Sequence, residues 1–81
     1  MARVLLFGRV GDVAGWRERL CGPTPPTLAA LKARLAADRP ELAAALNGPG
    51  VQAAVDRVLV RGDCPLASGA EVAFMPAMSG G

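Results

Sequence analysis

Short hydrophobic runs, most of them closed by glycine or proline, alternate with polar stretches along the chain. The first run, 3–7, contains branched and aromatic residues and ends at Gly8. Its length and composition favour a strand buried on both faces. The last run, 71–75, is also apolar on both alternating faces and closes at Pro76, since proline cannot donate to a β-ladder. We expect these two strands to lie side by side in the centre of a sheet.

Leucines recur at helical spacing in the middle of the chain. Leu28, Leu31 and Leu35 recur at helical spacing, and Thr27 stands before them as a suitable N-cap. This pattern predicts a helix over 28–38 whose leucine face packs on the sheet.

The remaining segments complete a two-layer plan. The other predicted elements are strands over 16–21, 51–55 and 58–60 and a short helix over 41–46. Residues 9–15 are ambiguous, because Gly11 interrupts apolar residues at helical spacing. This order predicts an α+β fold of the β-grasp type, a roll with a mixed four- to five-stranded sheet and one main helix. We expect a domain over 1–75 and a flexible C-terminal tail over 76–81.

Composition limits the class of protein. The chain has 81 residues, 52% of them hydrophobic and 20% charged, which indicates one globular domain. No apolar run is long enough to span a membrane, and the N-terminus does not have the pattern of a signal peptide, so we expect a cytoplasmic protein without a membrane partner. Nine basic residues stand against seven acidic ones and are scattered. We therefore expect no nucleic-acid partner.

Histidine is absent, which excludes histidine-based metal sites and nucleophile pairs. Cys21 and Cys64 have no CxxC spacing, and two thiols alone do not complete a zinc site. A reducing compartment makes a disulfide between them unfavourable, and both thiols suit small apolar positions. We predict no metal site, no permanently bound cofactor and no self-contained catalytic centre.

The C-terminal segment has an unusual composition. It ends in Gly80 and Gly81, a pair expected by chance about once in two hundred chains at roughly 7% glycine usage. Glycine has no side chain, so a diglycine end can pass through a narrow channel in a partner. The group available for chemistry there would be the α-carboxylate of Gly81, while Met78 and Pro76 could make apolar contacts.

Several short motifs occur in a characteristic order. They are 4–7, Pro26-Thr27-Leu28 with Leu31, 55–60, Pro65-Leu66, 69–74, Pro76 and the final Ser79-Gly80-Gly81. In this order and spacing the chain resembles the ubiquitin-like sulfur carriers of the MoaD and ThiS type. The likeness spans essentially the whole chain and is nearest to the small subunits of molybdopterin synthase.

The resemblance implies a chemistry carried by the last residue. A ubiquitin-activating-like adenylyltransferase would use ATP to adenylate the Gly81 carboxylate. A sulfur donor such as a cysteine desulfurase or rhodanese would then convert it to a thiocarboxylate. The tail would enter the large subunit of molybdopterin synthase, in a heterotetramer, and give sulfur to cyclic pyranopterin monophosphate to form the dithiolene. The chain would thus be a sulfur-donating subunit, not catalytic alone.

The resemblance also assigns roles by position. Gly81 would carry the sulfur and Gly80 would permit passage of the tail. The residues that would line the partner's channel are Pro76, Ala77, Met78 and Ser79.

Three further residues are candidates for partner binding: Phe7, Phe74 and Met75. For each, a core position and an interface position are equally supported, since one sheet face takes the helix leucines and the other has no second layer. For a set of arginines we expect solvated positions rather than rim contacts: Arg17, Arg19, Arg57 and Arg61.

Other functions fit the same pattern. The chain could carry sulfur for thiamine, cysteine or tRNA thiolation. It could be a ubiquitin-like modifier whose Gly81 forms isopeptide bonds, or an interaction domain with a chance Gly-Gly end. Length and the Phe74-x-Pro76 ending favour the molybdopterin type.

Overall fold

The computed structural model describes residues 1–76, which form five strands and three helices. In chain order the elements are β1 (Ala2–Leu6), α1 (Arg9–Ala14), β2 (Glu18–Cys21), α2 (Leu28–Asp38), α3 (Glu41–Leu46), β3 (Gln52–Val55), β4 (Val58–Val60) and β5 (Glu71–Met75). Within residues 1–76 no helix is long and apolar enough to cross a membrane. The predicted tail residues 77–81 lie outside the described residues, so the division into a domain over 1–75 and a tail over 76–81 stays a prediction.

The five strands form one mixed sheet in the order β2-β1-β5-β3-β4. β1 and β5 pair in parallel at its centre, and the other neighbours are antiparallel. The predicted central position of the first and last strands is confirmed. All three helices contribute buried residues to a core on one face of the sheet. This is the predicted β-grasp arrangement.

Strand alternation separates the core face from the opposite face. On β1, Val4 and Leu6 are buried under the helices together with Leu31 of α2. On the opposite face, Arg3 is exposed, Leu5 is only half-buried, and Phe7 just beyond the strand is 48% exposed. The prediction that the first run is buried on both faces is therefore wrong, because the helices cover one face only.

α1 resolves the ambiguity of residues 9–15 in favour of a helix. Gly15 ends it in the left-handed conformation, with φ of 83°. Gly11 does weaken helical propensity, but a Cβ at this position would overlap the guanidinium of Arg17, which lies against it. Gly11 thus makes room for a tertiary contact that helical spacing does not show.

The N-terminus of α2 is capped by three different groups. The predicted cap is confirmed, since the Thr27 hydroxyl accepts from the Ala30 amide at 3.1 Å. The Asp63 carboxylate accepts from the Ala29 amide at 2.8 Å, and the Leu28 amide donates to the Cys64 carbonyl at 2.9 Å. The loop before β5 is therefore fixed to the helix by its free amide groups.

Candidate functional site

The chain leaves the sheet at one end of the two central strands. The Phe7 amide donates to the Phe74 carbonyl at 3.0 Å, which extends the β1–β5 pairing beyond Leu6. Pro76 follows β5 at the surface, with its ring against Gly8. The candidate residues Gly80 and Gly81, like Ala77, Met78 and Ser79, lie outside the described residues.

The sheet surface opposite the helices is exposed, and we call it the open face. Its members, read from strand alternation and register, are Arg3, Leu5, Phe7, Glu18, Leu20, Gln52, Ala54, Leu59, Glu71, Ala73 and Met75. Leu59, Ala54, Ala73 and Leu5 form one row across four strands. The two alanines are buried by their neighbours, while Leu59 at the edge is 61% exposed. The row is a shallow apolar surface with larger side chains beside it.

Charged side chains occupy the other end of the open face. Arg3 pairs with Glu18 at 2.8 Å and with Glu71 at 3.4 Å, and Arg57 lies 3.7 Å from Glu71. The hydrogen bond to Glu18, followed by the charges of Glu18 and Glu71, raises the pKa of Arg3 above its ordinary value. The apolar part of the face therefore lies toward Phe7 and Met75, at the end where the chain leaves the sheet.

The three candidates for partner binding, two phenylalanines and one methionine, lie on different faces of the sheet. Phe74 is 0% exposed and lies in the core, so of its two alternatives, core and interface, it has the core position. Phe7 and half-buried Met75 lie on the open face. Partner binding by these two residues stays a prediction.

Arg17 makes a contact that the sequence does not indicate. Its Nη1 donates to the Gly8 carbonyl at 3.0 Å, and its Nη2 donates to Asp12 at 2.7 Å. Arg19 instead pairs with Asp38 at 2.9 Å and lies over the Trp16 ring. The expectation that Arg17 is simply solvated is therefore incomplete, since its side chain fixes the turn beside Pro76.

Both cysteines are free thiols, Cys21 buried and Cys64 half-buried. Arg34 Nη1 lies 3.5 Å from the Cys21 sulfur and donates to the Pro23 carbonyl at 2.8 Å. In the part of the chain that the structure describes, no group of three or more Cys, Asp or Glu side chains is placed to hold a metal ion.

Comparison with known proteins identifies relatives over the whole chain. The sequence model of the ThiS family matches residues 4–81. The molybdopterin synthase sulfur carrier subunit of Escherichia coli (strain K12) is 38% identical over 81 residues, and the alignment covers 100% of both chains.

Two solved structures have the same fold. The crystal structure of SAMP1 from Haloferax volcanii matches with a TM-score of 0.80 and 22% identity, covering 99% of this chain and 98% of that one. The solution structure of small archaeal modifier protein 1 from Methanosarcina acetivorans matches with a TM-score of 0.83 and 18% identity, covering 99% and 95%. At these identities the likeness establishes the ubiquitin-like β-grasp fold and nothing finer.

Proposed function

The chain belongs to the ThiS family, as its sequence motifs suggested, and on that premise we propose that it is the sulfur carrier subunit of a molybdopterin synthase. The observation that carries the proposal is the end-to-end match to the Escherichia coli sulfur carrier subunit, in which the C-terminal segment is included. In this proposal the reactive group is the α-carboxylate of Gly81.

A carboxylate needs activation before sulfur can replace one of its oxygens. In the first step a Gly81 carboxylate oxygen attacks the α-phosphate of ATP in an adenylyltransferase of the ubiquitin-activating type, and pyrophosphate leaves. The resulting acyl-adenylate has a good leaving group on the carbonyl carbon. ATP is thus a substrate of the partner and is not held by this chain.

Sulfur then enters from a donor persulfide, of a cysteine desulfurase or a rhodanese. The terminal persulfide sulfur attacks the acyl carbon and AMP leaves, which joins donor and carrier through an acyl disulfide. A thiol cleaves the S–S bond by reduction and releases the Gly81 thiocarboxylate. In the large subunit this sulfur attacks cyclic pyranopterin monophosphate, and water later returns Gly81 to the carboxylate.

The described residues support a proposal in which the domain docks on the partner and the tail carries the reactive group. Pro76 stands at the surface where β5 ends, beside the apolar part of the open face. The five residues after it can span up to about 18 Å when extended, at roughly 3.3–3.6 Å per residue. A partner that docks on the open face can therefore receive Gly81 in a site well away from the docking surface.

We further propose that the open face binds the activating enzyme and the large subunit in turn. Phe7 and Met75 present apolar surface next to the point where the tail begins, and Leu59 lies on the same face at the edge strand β4. Uncovered apolar side chains grouped on one face of a small domain are typical of an interaction surface. Because one tail can enter one partner at a time, the two partners should compete.

The experiment is a reconstitution with purified activating enzyme, ATP and a sulfur donor, read by intact mass. Replacement of one oxygen by sulfur in the wild-type chain, but not in a chain without Gly81, supports the proposal. Adding the large subunit and cyclic pyranopterin monophosphate should then consume the thiocarboxylate and form the dithiolene. A loaded carrier that serves only thiamine, cysteine or tRNA thiolation would refute the assignment to molybdopterin synthase. Conjugation of Gly81 to lysines without sulfur transfer would identify a modifier instead.

A further inference from the structure

Gly8 and Pro76 face each other just beyond the ends of the two central strands. Since Leu6 and Phe74 are register partners in the parallel pair, the residues two positions further on are neighbours as well. The Pro76 Cγ lies 3.0 Å, and its Cδ 3.2 Å, from the position that a Gly8 Cβ would occupy. Gly8 has φ of 62° and ψ of −140°, a conformation that glycine adopts readily. Pro76 therefore packs directly on backbone.

The Gly8 peptide is itself held in place. Its carbonyl accepts from Arg17 Nη1 at 3.0 Å and from the amides of Gly11 and Asp12 at 3.1 and 3.3 Å. The Arg17 Nη2 donates to the Asp12 carboxylate at 2.7 Å, which orients the guanidinium. Gly11 leaves the space through which this side chain passes. Arg17, the residue before β2, is thus bonded to the turn on which Pro76 rests.

We propose that Arg17 is a positioning residue for the reactive tail. It fixes the Gly8 turn, the turn seats the Pro76 ring, and the seated ring sets the direction in which the chain leaves β5. Proline fixes φ near −65°, so a fixed ring also fixes the Pro76 carbonyl carbon, the last backbone atom before the tail. This inference rests on the proposed function, because the direction matters only if Gly81 must be delivered to a partner's site.

The expected kinetic effect is on the reaction step rather than on docking. Arg17 is not a member of the open face, and the Phe7 amide is held by the Phe74 carbonyl rather than by Arg17, so replacing Arg17 should leave the docking surface intact. A tail with a wider range of starting directions enters the partner's site less often after docking. Misplacement of a reacting group by about 1 Å can reduce a rate on the order of 100-fold, so a partial loss of direction should reduce kcat by about fivefold.

Arg19→Met is the matched control for Arg17→Met. Both arginines are exposed on or next to β2, and among the described residues each makes one ion pair, at 2.7 Å for Arg17 and 2.9 Å for Arg19. Only Arg17 also donates to the Gly8 carbonyl. A general effect of losing a surface ion pair would therefore appear in both variants.

Two measurements test the proposal. In the chain alone, NMR should show a nuclear Overhauser effect between Gly8 Hα and the Pro76 ring protons, lost in Arg17→Met and kept in Arg19→Met. With the activating enzyme, pyrophosphate release should show kcat reduced by about fivefold and KM unchanged within about twofold in Arg17→Met alone. Arg17→Lys should restore part of kcat, because its ammonium can also donate to the Gly8 carbonyl.

Equal kcat in Arg17→Met and Arg19→Met, or an unchanged Gly8–Pro76 contact, would overturn the proposal. The NMR measurement needs no partner and separates this inference from the function. If the wild-type chain were not adenylated but the contact still depended on Arg17, the proposed function would be wrong and the positioning of Pro76 would stand.

Discussion

Asp56 and Glu71 exchange two hydrogen bonds across the start of β5. The Asp56 amide donates to the Glu71 carbonyl at 2.8 Å, and the Asp56 carboxylate accepts from the Glu71 amide at 2.9 Å. Asp56 and Arg57 both have positive φ, 49° and 69°, and form the two-residue turn between β3 and β4. Both central residues of a type I′ hairpin turn need this conformation. One aspartate therefore shapes the hairpin and attaches it to the central strand.

Removing the Asp56 side chain should destabilise the domain. Asp56→Ala leaves the Glu71 amide without its partner and places alanine at positive φ, which together should lower the free energy of unfolding by about 1–2 kcal/mol. Asp56→Asn keeps an oxygen acceptor and tolerates the left-handed conformation, so its effect should stay within about 0.5 kcal/mol. Urea unfolding of both variants measures the difference, and equal stabilities would show that the double contact contributes nothing.

The hydrogen bond from the Ala29 amide to Asp63 should stabilise the domain about as much as an ordinary N-cap does. Asp63→Ala removes the acceptor for the Ala29 amide and a negative charge beside the N-terminus of α2, so it should cost about 1 kcal/mol. Asp38→Ala is the control at the opposite end of the same helix, where the carboxylate is exposed and, within residues 1–76, pairs with Arg19 alone. We expect this control to change stability by less than about 0.5 kcal/mol in thermal or urea unfolding. A control as unstable as Asp63→Ala would contradict the capping role.

The two phenylalanines of the chain should respond differently to the same substitution. Phe74 is fully buried and Phe7 is 48% exposed. Phe74→Leu should lower stability by about 1–1.5 kcal/mol, whereas Phe7→Leu should stay within about 0.5 kcal/mol. Chemical denaturation measures both, and a larger loss for Phe7 would contradict the placement of the two faces.

Partner docking should depend on the apolar part of the open face. Leu59 and Leu20 are both 61% exposed on this face, but Leu20 pairs in register with Arg3 at the charged end. Leu59→Asp should weaken binding to the activating enzyme and to the large subunit by about tenfold or more, as for a residue that contributes at least 1.4 kcal/mol. Leu20→Asp should change binding by less than about threefold, since it adds a carboxylate beside an arginine. Calorimetric titration of both variants with each partner measures the affinities. Equal losses of affinity in the two variants would place the docking surface elsewhere.

The sequence predicts most of the fold because its strongest patterns are local. The leucine spacing of α2, the Thr27 cap and the apolar runs of β1 and β5 each identify an element, and all are found in the structure. Alternation alone does not show that Phe7 is exposed and Phe74 is buried, because both faces of the central strands are apolar. The side on which the helices pack decides their burial, and this is a property of the assembled layers.

The contacts that shape the candidate site are long-range. Asp63 reaches α2 from 34 residues away, and Arg17 reaches Gly8 across nine residues. In the sequence, Gly8 marks only the end of a strand and Gly11 suggests only a weak helix, while a lone arginine suggests only a solvated surface. The roles of these residues depend on side chains that meet after the chain has folded, which no residue spacing encodes.

The central claim is that sulfur resides on the carboxyl group of Gly81. The most direct measurement is tandem mass spectrometry of the loaded chain, after proteolysis under conditions that preserve thiocarboxylates and persulfides. The C-terminal peptide can then be distinguished from the peptides that contain Cys21 and Cys64. The proposed function predicts one added sulfur, in place of one oxygen, on Gly81 and none on either cysteine. Sulfur bound as a persulfide on Cys64 or Cys21, with an unmodified Gly81 carboxylate, would contradict it.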